Sequence, residues 1–480
     1  MQRAHLRLEP KIASILQSVS QVADAQNVPC FVVGGTVRDT ILGRPVLDLD
    51  LLIDTANRAG ISADEFANIA SDHLHGTHPV CFDRFGTLHF VVGPESDSMQ
   101  VEIVGAPLRV SDSFVIGDES DIMRRDFTAN TLLVGLNGGN YGRLYDLTGR
   151  GIDDIKRRVL RCPLEPHITL ADDPIRMLRA VRLSCSLALE VHNSVRECIA
   201  HNPSLINEAA VERIGRELEL MILSDRPKDG FEMLHDLNLL QVVMPEIEAL
   251  GGIMQDKRFH SQDVLHHTFS VLANVHRKDL ATRLAAVFHD AGKRQAQMFK
   301  DSRVVFYGHE HIGAEIALKR LRALRFPNKL TNEVASLVRN HMINYSGEWT
   351  DAAIRRLIKR LGQSLQKQLD LYEADIGALT RSQQLLDSAR ELRRRIETID
   401  EREQVAKIEA PLNGHEICAL LGIEPGPLVG KYKARLLDAV LTGQIANEKD
   451  AAREYLFELC KDESLSAEAA SNGDRGDQPE

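Results

Sequence analysis

The stretch FVVGGTVRDTILGRPVLDLDLLID, Phe31 to Asp54, decides how the chain is read. The apolar run Cys30–Val33 predicts a short buried strand. It ends in Gly34–Gly35, where missing side chains let backbone N–H groups approach a phosphate closely. A helix over Thr36–Leu42 would add its positive end. Arg38, one turn in, can donate charge-assisted hydrogen bonds to phosphate oxygens. The next run, Leu47–Ile53, predicts a second strand, and a period of two sets Asp48 and Asp50 on one face. Two carboxylates so placed suit Mg²⁺ ions for in-line phosphoryl chemistry.

Outward from this stretch, Leu88–Val92 and Val101–Val104 predict further strands. From about Pro163 the pattern turns amphipathic and helical, as in Asp173–Leu189 and Ala209–Leu223. A break at Gly251–Gly252 precedes a His-rich helical region. Arg381–Arg402 predicts a charged helix with a solvated face, an RNA-facing patch being the alternative, and the small polar residues from Ser464 predict a disordered tail. The fold class expected is α+β multidomain: a mixed-sheet head over 1–165, a helical neck over 166–250, a His-rich domain over 251–385, a helical tail over 386–463 and disorder over 464–480.

The 480 residues include 58 basic and 69 acidic side chains, a net charge of −11, with 43% hydrophobic residues. That composition fits globular domains with real cores and argues against low-complexity disorder or a surface that coats nucleic acid by charge alone. Aromatics at 5% argue against extended base-stacking platforms. The seven cysteines are scattered singly, which predicts a reducing compartment. The amino terminus MQRAHLRLEPK carries no long apolar segment, and no stretch reaches membrane-spanning length. The expectation is a cytoplasmic protein.

The Gly-Gly turn followed by DxD resembles the active-site signature of the polymerase beta superfamily. More narrowly, it is similar to GGxVRDxLLG…DxD of bacterial class II tRNA nucleotidyltransferases (CCA-adding enzymes) and their poly(A) polymerase relatives. Arg84-Phe85-Gly86-Thr87 resembles that family's RFGT turn, and RRDFTANTLL, Arg124–Leu133, its RRDFTxNAL block. The resemblance implies that Arg124, Arg125, Asp126, Thr128 and Asn130, with Gly34, Gly35 and Arg38, bind the incoming ATP or CTP. Tyr145–Ile155 resembles the hinge motif between head and neck. A third carboxylate is expected on a later strand, and Glu102 in QVEIV is the candidate. Asp48, Asp50 and Glu102 would then be catalytic, with Mg²⁺ on the two aspartates.

In ADDPIRMLRAVRL a helix is expected to begin at Asp172 or Asp173, with Pro174 at its first position. Asp173 and Arg176 would then be neighbours on one face. Cytosine and adenine both offer an amino donor beside a ring-nitrogen acceptor, so one carboxylate and one guanidinium can pair with either and reject uracil and guanine. The family's EDPxR motif has that role, which the resemblance assigns to Asp173 and Arg176, with Asp172 in place of Glu. Arg179 and Arg182 are candidates for phosphate contacts or solvated charge. ERIGRELELMI, Glu212–Ile222, resembles the next family block, and Glu212, Arg213 and Glu217 are expected to brace the neck.

DVLHHTFSVL, FHDAGK, GHEHIG and VRNHM follow one another between Asp263 and Met342. Vicinal His289–Asp290 offers ligands suited to Mn²⁺, Ni²⁺, Co²⁺ or Fe²⁺. With His267, His309, His341 and Asp375 it resembles the H…HD…H…H…D pattern of the HD phosphohydrolase superfamily; His266 and His311 are near-duplicates without an assigned role. APLNGHEICALLGIEPGPLVG resembles the tail of the HD-bearing branch of CCA-adding enzymes. The resemblance thus implies an RNA nucleotidyltransferase acting on a tRNA or other RNA 3′ end, with a metal-dependent phosphohydrolase module. In family members that complete CCA, a long polar loop precedes RRDFT, whereas only Gly105–Met123 fills that interval here. Complete CCA addition is the expectation; CC-only, A-only or poly(A) addition are alternatives, and loop loss goes with stopping after CC. A phosphohydrolase with an RNA-binding head is the alternative from another class.

Overall fold

The computed structural model describes residues 9–81, 86–255, 261–300, 303–345, 347–380 and 382–473. They form two compact units, one reaching to Glu248 and including Ala323–Arg325, the other comprising the remainder. Arg84 and Phe85 of the RFGT turn lie outside the described residues.

The first unit opens with α1 (Pro10–Ala25), a helix not anticipated from the sequence, which buries Ile12, Leu16 and Val19. It leads into β1 (Cys30–Val33), α2 (Gly34–Ile41), β2 (Asp48–Asp54), α3 (Ala63–His73), β3 (Val80–Cys81), β4 (Leu88–Val92), β5 (Met99–Ala106), α4 (Ser120–Met123), β6 (Leu133–Gly135) and β7 (Leu144–Tyr145). The strands make one sheet in the order β3-β4-β5-β2-β1-β6-β7. β2 and β5 pair in parallel, while the other neighbours are antiparallel.

Pleating sorts the central strands onto two faces. Leu49, Leu51, Ile53, Val101 and Ile103 join the core with residues of α1 and α3, whereas Phe31, Val33 and Leu52 pack on the opposite face with Leu108, Ile116 and Leu133. Asp48 and Asp50 alternate with the first set and so share the second face.

The segment after β5 packs as part of this second layer. Leu108 is fully buried and Ile116 nearly so. The buried carboxylate of Asp54 accepts from the N–H groups of Arg109 (3.1 Å) and Val110 (2.8 Å). The N–H groups of Gly117 and Asp118 donate back to the Leu108 carbonyl at 3.1 and 2.9 Å.

After α5 (Gly151–Lys156) the helical portion carries β8 (Val159–Leu160) and β9 (Glu190–Val191), a short parallel pair. Its helices are α6 (Pro166–Asp172), α7 (Arg176–Leu187), α8 (Asn193–His201), α9 (Val211–Ile222), α10 (Pro227–Asp236), α11 (Leu240–Val243) and α12 (Pro245–Glu248). The helix expected from Asp172 or Asp173 is corrected here. Asp173 is extended, at φ −151° and ψ 98°, between α6 and α7. Pro174 is the cause, since its ring disfavours helical geometry in the residue before it.

The second unit contains α13 (Val264–Asn274), α14 (Leu280–Phe288), α15 (Lys293–Ala296), a hairpin of β10 (Met298–Lys300) and β11 (Arg303–Val305), α16 (His309–Ala323), α17 (Asn328–Arg339), α18 (Asp351–Leu361), α19 (Leu365–Gly377), α20 (Gln383–Glu403), α21 (Gly414–Leu421), α22 (Pro427–Leu441) and α23 (Lys449–Gly473). α20 has the expected solvated face and a buried one. Ala389, Leu392 and Ile396 are buried, and Arg393 pairs with Asp370 and Glu373 of α19. The disorder expected from Ser464 is also corrected, because α23 continues to Gly473.

Candidate active site

The head site begins where β1 turns into α2. Gly34 has φ +61°, and a Cβ there would stand 3.0 Å from Oδ2 of Asp50; one on Gly35 would stand 3.2 Å from the same atom. Glycine is needed because the turn closes against a carboxylate. Asp50 Oδ2 accepts from Gly35 N at 2.9 Å and from Thr36 N at 3.4 Å. Thr36, which sequence reasoning passed over, ties helix to strand: its hydroxyl donates to the Asp48 carbonyl at 3.0 Å and accepts from Asp50 N at 2.8 Å.

Parallel pairing sets Asp50 opposite Glu102, and Asp48 opposite Gln100. Three carboxylates therefore gather at one end of the sheet. Burial raises the pKa of Asp50 against the pull of the Gly35 and Thr36 amides and of Arg125 and Arg38. Burial and the charge of Asp50 raise Glu102, and loss of hydration raises Asp48. The cluster holds negative charge that its protein neighbours do not fully compensate, the setting for a hard cation.

Beside it lies a cleft of about 700 Å³ lined by Gly34, Gly35, Arg124, Arg125, Asp126, Asn130, Asp172, Asp173, Arg176 and Arg179. Most of the residues expected to bind nucleotide thus face one space. Two do not. Arg38 is buried, donating to Asn130 Oδ1 at 2.8 Å and to both carboxylate oxygens of Asp39 at 2.8 Å. Thr128 is buried and donates to Asp154 at 2.7 Å, so its side chain braces the RRDFT turn from behind.

Within the cleft the charges are interlocked. Asp126 accepts from Asn130 (2.9 Å) and Arg179 (3.2 Å), and these partners hold its carboxyl below the usual range in spite of burial. Burial opposes the charge of Arg179, but Asp126 and Glu217 more than offset it and raise its pKa. Glu217 also accepts from Arg182 at 2.6 Å. Arg213 grips Asp173 with two parallel hydrogen bonds of 2.9 and 2.8 Å. Arg176 donates to the carbonyls of Thr169 (2.8 Å) and Arg124 (2.6 Å). Asp173 and Arg176 are therefore brought to one wall by α9 and the RRD turn, not by sharing a helix face.

The second unit brings together all six residues expected of the His-rich motif. The ligand atoms of His267, His289 and Asp290 lie within 4.8 Å of one another, as do those of Asp290, His309 and His341. Asp375 Oδ1 is 3.0 Å from His267 Nε2. Each of three rings is aimed from its own element: His289 Nδ1 meets the Ala286 carbonyl (2.8 Å), His309 Nδ1 that of Phe306 (2.8 Å) and His341 Nδ1 that of Val338 (2.7 Å). A proton fixed on Nδ1 leaves the Nε2 lone pair free for a metal. His289 Nε2 is buried and lies 3.2 Å from Asp290 Oδ2. Burial, then His289, push His341 down to about 4. Asp290 is held well below the carboxylate range by His289 and Lys293 in spite of burial. This donor set fits a transition metal. His266 and His311 are outside it: His266 meets Asp263 at 2.7 Å and His311 meets Glu310 at 3.2 Å.

Among the described residues no helix is long and apolar enough to cross a membrane. The family model of the poly(A) polymerase head domain matches residues 30–161. That of a probable RNA- and SrmB-binding site of polymerase A matches 188–250, and that of a putative tRNA nucleotidyltransferase domain 2 matches 309–456. A CC-adding tRNA nucleotidyltransferase of Thermus thermophilus is 32% identical over 442 residues, covering 89% of this chain and 93% of the relative. An A-adding tRNA nucleotidyltransferase of Deinococcus radiodurans is 33% identical, over 69% of this chain and 77% of the relative. The fold is similar to that of the Bacillus stearothermophilus CCA-adding enzyme in complex with CTP, with TM-score 0.68 at 20% identity, over 96% of this chain and 100% of that one. Taken with the near full-length relationship to the Thermus protein, these matches show that the chain is a nucleotidyltransferase and belongs to the tRNA nucleotidyltransferase family.

Proposed function

We propose that this enzyme adds cytidines from CTP to the 3′ end of tRNA and stops after CC. The observation that carries the product assignment is the segment after β5. The family resemblance expects a free polar loop there in enzymes that go on to add A, acting as a lever for rearranging the base-reading pair. Here residues 107–119 are short and tied down, with Leu108 and Ile116 in the core and two amides on Asp54. The relative matched over most of both chains is CC-adding, which supports the same reading. It departs from the expectation of complete CCA addition, which is the alternative product.

In this reading Asp48, Asp50 and Glu102 would hold Mg²⁺, which would supply charge neutralisation at the 3′-hydroxyl and the reacting phosphate. Arg124 and Arg125 receive the triphosphate of the incoming nucleotide. Asp173 accepts from the amino group of cytosine and Arg176 donates to its ring nitrogen. Arg213 keeps the Asp173 carboxylate in one orientation, which favours one base over a switch between two. Catalysis is then mainly positioning and charge neutralisation. We assign head, neck, His-rich domain and tail to 1–165, 166–250, 251–385 and 386–463, in a cytoplasmic enzyme whose tail meets tRNA. The test is a gel of products from tRNA lacking all three nucleotides, supplied with CTP and ATP together. A product two residues longer that resists extension is expected. Efficient conversion to a three-residue product would overturn the CC assignment, and long A tracts would favour poly(A) synthesis.

A second reading concerns the other unit. The six converging ligands support a metal-dependent HD phosphohydrolase using Mn²⁺, Ni²⁺ or Co²⁺. Hydrolysis of a phosphomonoester or a 2′,3′-cyclic phosphate, tested with each metal in turn, decides it. No hydrolysis with any of them would make the cluster structural.

A further inference from the structure

The row of acidic groups in the head does not end at Glu102. β4 pairs antiparallel with β5 so that His89 lies directly opposite Glu102, which in turn lies opposite Asp50. Reading across three strands, the row is Asp50, Glu102, His89. His89 Nδ1 is 3.3 Å from Glu102 Oε1 and 3.0 Å from Gln100 Nε2, and Gln100 Nε2 donates to the same Glu102 oxygen at 3.0 Å. The side chains of His89 and Glu102 are 19% and 29% exposed, so this contact is largely shielded from solvent.

The three carboxylates differ in how they are held. Asp50 is fixed by two backbone amides of the Gly-Gly turn, and both aspartates have short side chains on a strand clamped by Thr36. Glu102 has one more rotatable bond and the repulsion of Asp50 and Asp48 pushing it away from the position it must occupy. Something has to hold it in place.

We infer that His89 is a positioning residue for nucleotide addition: its Nδ1 accepts from Gln100 Nε2, which donates its other hydrogen to Glu102 Oε1, so that the pair holds Glu102 where it would share a Mg²⁺ with Asp48 and Asp50. This rests on the carboxylate assignment proposed above. Partners behind a metal-binding carboxylate are typically worth about 10- to 100-fold in metal affinity or rate.

The experiment compares full-length wild type, His89→Ala, His89→Asn, Glu102→Gln, the double variant His89→Ala/Glu102→Gln and Asp48→Ala. Single-turnover CTP addition is measured across a Mg²⁺ titration. Mn²⁺ binding in the presence of CTP is followed by electron paramagnetic resonance, and thermal unfolding checks that each variant is folded. His89→Ala should lower the rate about 10- to 100-fold, raise the half-saturating Mg²⁺ and weaken Mn²⁺ binding, with KM for CTP unchanged at saturating Mg²⁺. His89→Asn, which keeps a side-chain acceptor for Gln100, should recover much of the loss. In the Glu102→Gln background, removing His89 should cost nothing more. Rate and metal curves for His89→Ala that superimpose on wild type, or losses that multiply in the double variant, overturn the inference. An active Asp48→Ala protein would instead overturn the carboxylate assignment beneath it.

Discussion

The two clusters of candidate metal ligands in this chain are built in opposite ways. In the head, Asp48, Asp50 and Glu102 come from strands whose pairing sets their spacing, and Asp50 packs behind the Gly34–Gly35 turn that lines an open cleft. In the second unit, His267, His289, Asp290, His309 and His341 are buried and carried by helices or helix ends. Three of the rings are steered by a carbonyl three residues earlier in the chain. The chemistry of compensation differs as well. The head carboxylates have raised pKa values, whereas Asp290 and Asp375 are held down by the imidazoles and Lys293 around them. An open, under-compensated site suits a metal that arrives with a triphosphate, and a closed, histidine-rich one suits a resident ion.

The contrast can be broken at several points. The largest effect is expected in the head: Asp48→Ala or Asp50→Ala should reduce CTP incorporation by at least about 10³-fold, since each removes charge from the reacting centre. Rapid-quench incorporation by folded protein measures it, and near-normal rates would remove the head site altogether. In the second unit, His289→Ala or Asp290→Ala should abolish high-affinity Mn²⁺ or Ni²⁺ binding and any metal-stimulated phosphatase activity while leaving nucleotide addition within about twofold. Calorimetric metal titration beside the addition assay tests whether the two sites are independent.

A smaller effect is expected in the cleft. Asp173→Ala and Arg176→Ala should weaken discrimination against UTP by about 10- to 100-fold, because a wrong base no longer leaves a buried polar group unpaired. Arg213→Ala should move the nucleotide ratio the same way, but less. Competition between CTP and UTP at equal concentration reads both, and unchanged ratios would discard the base-reading role.

The smallest effect is a pH dependence in the metal-free protein. The folded-state pKa of His341 is depressed to about 4 by burial and by His289. Its contribution to stability is therefore present above the unfolded value near 6.5 and lost as pH falls from there toward 4. His341→Gln should flatten the fall in Tm over that window; an identical slope in wild type and variant would show that other groups dominate it.

Much of this was legible in the sequence because short-range rules fix it. Gly34–Gly35, the alternation of Asp48 and Asp50 and the vicinal His289–Asp290 each sit within one or two elements, and motif order supplied the family. What pairing decides was less legible. Glu102 could be nominated, but only β2–β5 register places it opposite Asp50, and His89 joins the row only through β4. The Asp173–Arg176 pair was assigned to one helix face, whereas Pro174 breaks the helix and a residue forty positions away, Arg213, orients the aspartate. Arg38 and Thr128 belong to the motifs, yet burial turns their side chains to bracing.

The parallel pairing of β2 with β5 also bears on how the enzyme comes into being. Asp50 and Glu102 are about fifty positions apart, and no hairpin can join strands that run the same way. Closing that loop costs chain entropy before any contact repays it, so pairing of this kind is slow to form. The three carboxylates cannot assemble on a partly folded head. On the catalytic assignment proposed above, a chain whose central sheet has not closed lacks the complete carboxylate set.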